Sequence, residues 1–237
     1  MMNLSYPLCN DTPVYGGGNS PAIKPGKSIS AGDSCNTFEI SLTNHTGTHI
    51  DLPAHFDIDG KTLTDYPPGF WFSEKPHCFF MDKMNINGVA DMAGINTAFS
   101  PGELINSTKI KLLIRDDINN DDIEVILLTT GFCERRDSEV YWKESPGIDP
   151  KLPDFLRERF PRLRFFGMDL ISVSSFANRE AGREAHRAFL NHSHPILPIE
   201  DMNLCNLPET LSNILIAPLY IKDSDGAPCT IFANIGL

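Results

Sequence analysis

Alternating apolar and polar residues mark the first predicted strand of the chain. Phe38, Ile40 and Leu42 alternate with polar residues, which is the period-two pattern of a strand with one buried face. Further apolar runs of strand length follow at intervals along the sequence. They predict strands over residues 78–81, 109–114, 125–129, 163–168, 214–220 and 230–234.

Helical periodicity is found in two segments. Residues 152–160 carry apolar side chains at spacings of three and four with a polar opposite face, and residues 178–190 place alanines and Phe189 on one side. Strands therefore outnumber helices, and no linker divides the sequence. The sequence predicts an α+β fold, with a mixed β-sheet and few helices in a single domain over residues 1–237.

Length and charge limit the classes of partner. The chain has 237 residues, 41% of them hydrophobic, and a net charge of −11 from 31 acidic and 20 basic residues. This charge disfavours nucleic acid and anionic membrane surfaces, so we expect a small-molecule substrate. No basic region with a long apolar run opens the chain, and the apolar runs are too short to cross a bilayer. We expect a cytoplasmic protein.

The cysteines do not suggest a metal site or a disulfide framework. None of the six belongs to a Cys-x-x-Cys pair, which argues against a cysteine zinc site. A chain of this length builds its core without covalent staples. We expect reduced thiols at Cys9, Cys35, Cys78, Cys133, Cys205 and Cys229.

Residues 45–55 form the one dense chemical motif. Within eleven residues they hold His45, His49, Asp51 and His55. The threonines, glycine and proline of the segment oppose a helix, so we predict a turn at Gly47 followed by extended chain. His49 and Asp51 are two residues apart and would then point to the same side.

Imidazole and carboxylate groups without thiolate suit zinc, manganese or iron(II) at a hydrolytic or open site. The alternative is a loop in which these groups bind only one another. A further histidine pair at His192 and His194 would offer other ligands, but a solvated loop is the interpretation we favour for it.

The segment fits the pattern His-x-Gly-Thr-His-x-Asp-x-Pro-x-His and so resembles the cyclase family of metal-dependent hydrolases, which includes kynurenine formamidases (arylformamidases) and isatin hydrolases. Weaker matches follow the family's order along nearly the whole chain. They are at residues 3–7, 128–131, 146–148, 167–172, His186 with Glu200, and 225–228. The resemblance implies the family's swivelling β/β/α fold.

The resemblance also implies roles for individual residues. His45, His49 and Asp51 would bind a first metal ion, and Asp51 would bridge to a second. The second site would be completed by His186 and Glu200, while His55 matches the family's catalytic histidine. The metal would be zinc or manganese, with one or two ions per subunit, and the protein would be a homodimer or homotetramer.

Two departures from the family pattern concern specificity. Ser174 stands where an aspartate is common, and Cys229-Thr230 stands where an aliphatic residue and an arginine are common. Both departures are expected near the substrate, whereas the implied metal ligands are unchanged.

The residues support hydrolysis of a C–N amide bond, with His55 as acid and base. The substrate we expect is an arylformamide such as N-formylkynurenine. The alternatives are a cyclic amide of the isatin type, a lyase or dehydratase reaction, and a non-catalytic metal-stabilised binding protein. Aromatic residues downstream would supply a wall for a flat substrate, unless they belong to the core; they are Tyr66, Phe70 and Trp71.

Overall fold

The computed structural model describes residues 1–81, 99–114, 119–191 and 193–236. Within these residues most of the regular structure is strand. The strands are β1 (Met2–Asn3), β2 (Ala22–Pro25), β3 (Phe38–Ser41), β4 (His49–Asp51), β5 (Phe72–Ser73), β6 (Pro76–Phe80), β7 (Leu104–Ile105), β8 (Val125–Thr129), β9 (Gly147–Ile148), β10 (Phe165–Met168), β11 (Leu197–Glu200), β12 (Leu211–Pro218) and β13 (Gly226–Ile235).

A mixed sheet of nine strands organises the part of the chain that the structure describes. Its order is β5-β12-β13-β4-β11-β10-β8-β6, with β1 also paired to β13. The pairs among β6, β8, β10 and β11 are parallel, whereas β4 runs antiparallel to both of its neighbours. The first and last strands of this order, β5 and β6, are joined by only two residues. The sheet therefore curves until its two ends nearly meet.

Four α-helices lie among the described residues: α1 (Ser107–Lys111), α2 (Val140–Lys143), α3 (Leu152–Arg159) and α4 (Arg179–Leu190). The longest, α4, packs on the parallel part of the sheet, where Phe189 stacks on Phe166 of β10 with ring centroids 5.6 Å apart. Single 3-10 turns cover Tyr15–Gly17, Ile29–Ala31, Pro53–His55, Leu63–Asp65, Pro68–Trp71, Asn120–Asp122 and Phe132–Arg135.

The core lies under the parallel strands. Every residue of β8 and β10 is buried, as the unbroken apolar sequences of these strands require when both faces of a sheet are covered. Leu152 and Leu156 of α3 are also fully buried. This packed centre fixes the strand ends from which the polar side chains of the candidate site project.

The predicted fold class is confirmed: the sheet is mixed and the helices are few. Six of the seven predicted strands and both predicted helices are present, with ends that differ by a few residues. The assignment of residues 1–237 to one domain stays a prediction. None of the helices in the described residues has the length and apolar content that a membrane crossing requires.

The strand predicted over residues 109–114 is wrong. This segment enters α1, because the Asn106 side chain accepts a hydrogen bond from the Lys109 backbone N–H at 3.1 Å and caps the helix. The strand predicted from Phe38 exists as β3, but all four of its residues are exposed. Among the described strands it pairs with β2 alone, in a hairpin outside the main sheet, so the predicted buried face is wrong.

The expectation of six reduced cysteines is also wrong. Cys133 and Cys205 form a disulfide that joins the turn after β8 to the segment after β11, with Cα atoms 5.9 Å apart. The two residues are 72 positions apart in sequence, so no local pattern could indicate the pairing. Cys9, Cys35, Cys78 and Cys229 form no disulfide with any of the described residues.

Candidate metal and active site

Three of the polar groups are assembled by the pairing of β4 with β11. Glu200 lies directly opposite His49 in the antiparallel register, so their side chains leave the sheet on one face. Asp51 follows His49 by two residues on β4 and shares that face. Helix α4 supplies His186, whose ring lies against the same carboxylates, and all four residues are at least 95% buried.

Backbone carbonyls fix the tautomers of the two buried histidines. The Nδ1 atom of His49 lies 2.8 Å from the Gly47 carbonyl oxygen, and Nδ1 of His186 lies 2.8 Å from the Gly182 oxygen. Because a carbonyl oxygen only accepts, each Nδ1 must donate its proton. The Nε2 atom of each ring is left to face the carboxylates.

The two Nε2 atoms face the carboxylates at similar distances. His49 Nε2 lies 3.3 Å from Glu200 Oε2 and 3.5 Å from Asp51 Oδ1. His186 Nε2 lies 3.3 Å from Glu200 Oε1 and 3.4 Å from Asp51 Oδ2. These nitrogen and oxygen atoms could hold a metal ion, in one group with His45 and in another with Glu200.

Without a metal ion, the carboxylates favour protonated imidazoles. Burial alone lowers the pKa of His49 and of His186, but Glu200 and Asp51 outweigh burial and raise these pKa values to about 9 and about 10. Burial raises the pKa of Asp51, yet His186 and His45 hold it well below its usual range. The buried carboxylates therefore strongly favour a positive charge between themselves and the imidazoles.

A second, more exposed group adjoins the first. His45 Nδ1 lies 2.8 Å from Asp51 Oδ1, and its Nε2 lies 3.0 Å from Asp225 Oδ2. Asp225 Oδ2 also lies 2.9 Å from Nδ1 of His55, whose ring stacks on that of His45 at 3.9 Å. Asp225 therefore links the two histidines, and these three residues are themselves a group that could hold a metal ion.

Two glycines allow the backbone to lie close to the histidine rings of the site. Gly47 has φ of 66°, a left-handed conformation that reverses the chain between His45 and His49. Gly226, at the start of β13, lies so close to the His45 ring that a Cβ atom there would overlap it. The predicted turn at Gly47 and the extended chain after it are present.

Two of the weaker sequence matches bind each other beneath the site. Asp169 accepts hydrogen bonds from the backbone N–H of Thr130 at 2.9 Å and of Gly131 at 3.0 Å. At the end of the second match the Ser172 hydroxyl donates to Glu200 Oε1 at 3.1 Å, and the N–H of the next residue, Val173, donates to the same oxygen at 2.7 Å. The residues of these matches therefore position the end of β11 and its carboxylate.

The two half-buried histidines and the buried cluster line one cavity of about 340 Å³, whereas Asp225 lies behind His45 and His55 and is not in its wall. Its wall combines Tyr15 and Phe56 with two arginines of α4, Arg179 and Arg183. The cavity is open on one side, and it brings a bound molecule into contact with His55 and with the buried carboxylates.

The family model named Cyclase, with the description "Putative cyclase", matches residues 2–175. This match covers more than half of the chain and includes the whole of residues 45–55. The chain belongs to the cyclase family.

Curated relatives match over nearly the full length of this cyclase-family chain. A kynurenine formamidase of Bacillus mycoides (strain KBAB4) is 25% identical over 234 residues, covering 96% of this chain and 93% of the relative. A kynurenine formamidase of Bacillus anthracis is 26% identical with the same coverage.

Solved structures share the cyclase-family fold. Isatin hydrolase A from Labrenzia aggregata, bound to benzyl benzoate, superposes with a TM-score of 0.75 at 20% identity, over 99% of this chain and 93% of that chain. A structure described as a potential metal-dependent hydrolase with cyclase activity gives a TM-score of 0.70 at 20% identity, over 98% and 96%.

The residues singled out in the sequence have different positions relative to the cavity. Six of them line it together: His45, His49, Asp51, His55, His186 and Glu200. Their roles as ligands and as catalytic base stay predictions. Tyr66, Phe70 and Trp71 pack on one another and, through Phe70 and Trp71, on Phe165 of the core. They are not in the wall of this cavity, whose aromatic residues are Tyr15 and Phe56, so contact of these three residues with a substrate stays a prediction.

The remaining candidates lie outside the cluster. His194 Nε2 lies 3.0 Å from the Leu163 carbonyl oxygen, and His192 lies outside the described residues. Of the two departures, Ser174 lies in the cavity wall with its Oγ 3.4 Å from His186 Nδ1, whereas Cys229 and Thr230 line a separate cavity.

Sequence reasoning missed Asp225 as a site residue. The Asp-Gly-Ala-Pro turn matches the family pattern, but the contact of Asp225 with His45 and His55 spans 170 or more residues. No local pattern indicates this contact, because it depends on the pairing of β13 with β4.

Proposed function

We propose that this protein is a metal-dependent hydrolase that cleaves the C–N amide bond of an arylformamide, with N-formylkynurenine as the substrate to test first. The observation that carries the proposal is the pair of buried imidazoles, each fixed through Nδ1 with Nε2 turned toward two buried carboxylates. The identity of the curated relatives supports the substrate class.

The donor set fits a divalent ion. A tetrahedral ion with ligand bonds of about 2.0–2.2 Å separates its ligand atoms by roughly 3.3–3.6 Å. His186 Nε2 lies 3.4 Å from Asp51 Oδ2 and 3.3 Å from Glu200 Oε1, which suits one such ion. In the other group His49 Nε2 lies 3.5 Å from Asp51 Oδ1, whereas His45 Nδ1 lies 2.8 Å from the same oxygen, a hydrogen-bond distance that would have to lengthen for both atoms to bind one ion.

The ligands we propose are His45, His49 and Asp51 for one ion, and Asp51, His186 and Glu200 for another. The two oxygens of Asp51 support a bridging role, since Oδ1 faces His45 and His49 while Oδ2 faces His186. Zinc and manganese both suit these ligands, in one or two ions per subunit. When bound, such an ion lowers the pKa of a water molecule to about 7 and polarises a carbonyl group.

The chain's own acid and base is His55. Asp225 accepts the Nδ1 proton of this ring, and Nε2 is then the nitrogen free to accept a proton in the cavity. In the reaction, water adds its oxygen to the formyl carbon and gives a proton to His55. The ring returns this proton to the leaving nitrogen as the C–N bond breaks. The products are formate and an arylamine, and no protein nucleophile is needed.

The alternatives share the cluster and differ in what happens to the substrate. A cyclic amide would be opened by the same steps, with the amine and carboxylate kept in one product. A lyase or dehydratase would eliminate water instead of consuming it. A binding protein stabilised by metal has no use for a base linked to an aspartate at the cavity wall, and the His55–Asp225 pair argues for catalysis.

Subunit assembly and location remain part of the proposal. We expect a cytoplasmic homodimer or homotetramer, on the resemblance to the family. Sedimentation of the purified protein tests the assembly.

The test of the proposed function is reconstitution. Protein stripped of metal and reloaded with zinc or manganese is assayed with N-formylkynurenine and with isatin, in parallel with the stripped protein. We expect metal-dependent release of formate from N-formylkynurenine. If isatin alone is turned over, the substrate class is a cyclic amide and not an arylformamide. Inactivity toward both substrates in every metal form would contradict the proposal.

A further inference from the structure

Two arginines without an ion-pair partner face the cavity from α4. Arg179 and Arg183 are one helical turn apart, and both line the cavity that holds the histidine cluster. The structure pairs other arginines with carboxylates, namely Arg136, Arg157, Arg162 and Arg164. Among the described residues, no carboxylate lies within ion-pair distance of Arg179 or Arg183.

The acidic groups of the cavity are already engaged, so they do not compete for these arginines. Asp51 and Glu200 face the buried imidazoles, and Asp225 binds His45 and His55. Asp201 accepts two hydrogen bonds from the Arg136 guanidinium, at 2.8 and 2.6 Å. The positive charge on α4 is therefore available to a bound molecule, in a chain whose net charge of −11 would otherwise repel an anion.

Tyr15 lies in the same cavity wall as the two arginines. The Arg179 guanidinium carbon lies 4.0 Å from the centre of the Phe176 ring, a contact that holds the group at the cavity edge. Burial raises the pKa of Tyr15, and the charges of Arg179 and Arg183 partly offset this rise, which is consistent with both groups being near its hydroxyl. A planar anion between them would contact an aromatic ring as well as two cations.

The helix sets the distance from this group to the buried cluster. Arg183 and Arg179 precede His186 by three and seven residues, which is about 4.5 and 10.5 Å along the axis of an α-helix. A molecule whose amide lies at the cluster would therefore meet the arginines with a group several bonds away.

We propose that Arg179 and Arg183 bind a carboxylate of the substrate, so that the enzyme acts on arylamides carrying a second, anionic group at a distance from the scissile bond. The inference deepens the proposed function and rests on it. Arginine suits this task because its planar group offers paired donors to a carboxylate.

Two matched probes test the inference. 4-Formamidobenzoate carries a carboxylate across the ring from the formamide, and 4-formamidobenzamide has nearly the same shape without the charge. We measure kcat/KM for both with the metal-loaded wild type, Arg179→Gln, Arg183→Gln and the double variant. Arg162→Gln is the control, because it removes the same charge from a side chain that is 63% exposed and outside the cavity wall.

We expect Arg179→Gln and Arg183→Gln each to lower kcat/KM for 4-formamidobenzoate about 10- to 100-fold. The value of kcat/KM for 4-formamidobenzamide should change by less than about threefold. Arg183→Lys should recover part of the loss, because it restores the charge without the paired donors. The inference is overturned if both probes lose activity together, or if the variants use the benzoate as well as wild type does.

Calorimetry with the metal-free proteins separates this inference from the proposed function. If wild type turns over neither probe nor any other formamide, the proposed function fails. The binding measurements alone then show whether Arg179 and Arg183 bind a carboxylate. Binding of 4-formamidobenzoate by wild type and its loss in the double variant would support the carboxylate site. Equal binding by both proteins, or no binding by wild type, would overturn it.

Discussion

The Asp225→Asn substitution tests whether this carboxylate positions the proposed base. Asp225 Oδ2 accepts a hydrogen bond from Nδ1 of His55 at 2.9 Å. The asparagine keeps the size of the side chain but removes its charge, and its amide can offer either an oxygen or an N–H to the ring. A hydrogen bond to a charged group contributes about 1.5–3 kcal/mol. Since the Asp225 side chain is 39% exposed, the lower part of this range applies.

A loss of about 1.5–2 kcal/mol corresponds to a fall in kcat of roughly 10- to 30-fold. The assay follows formate release from N-formylkynurenine, with bound metal measured on the same samples because Asp225 also contacts His45. Asp223→Asn is the matched control, since it makes the same change two residues away at an exposed site. The reasoning is refuted if Asp225→Asn keeps kcat within twofold of wild type, or if its loss only follows a loss of metal.

Three further outcomes follow from the same structure. His55→Ala should keep its metal by elemental analysis yet lose turnover; full activity would remove the acid–base role. Metal-free protein should lose unfolding free energy in urea as pH rises from about 6.5 toward 10, because His49 and His186 stabilise it only while protonated. Metal-loaded protein should lose less, and equal losses would contradict ligation. Phe166→Ala should cost about 3–5 kcal/mol by urea unfolding, since this ring is fully buried; a cost below about 1 kcal/mol would contradict the packing.

The parts of the fold that the sequence predicts well are those in which local pattern and tertiary environment agree. Residues 125–129 read as a buried strand, and β8 is buried throughout between two parallel neighbours. Residues 109–114 show the opposite case. Their apolar content is typical of a strand, but the Asn106 side chain caps a helix that begins at the next residue.

The residues of the candidate site also differ in how well the sequence predicts their positions. His49 and Asp51 could be placed on one face from their spacing alone, because a strand fixes that relation locally. The meeting of His186 and Glu200 with them depends on the register of β4 against β11 and on where α4 packs, and here only the family resemblance supplied the grouping. Asp225 and the Cys133–Cys205 disulfide depend on contacts far apart in sequence, with no local pattern to predict them.

Metal content measures the central claim most directly. Wild-type protein, His49→Ala and the control variant His77→Ala, whose half-buried residue lies in β6 outside the cluster, are stripped, incubated with zinc, desalted and analysed for metal per chain. The account predicts one or two ions in wild type and in His77→Ala, and a loss of at least one ion in His49→Ala. Wild-type protein that retains no zinc and no manganese after loading would contradict it.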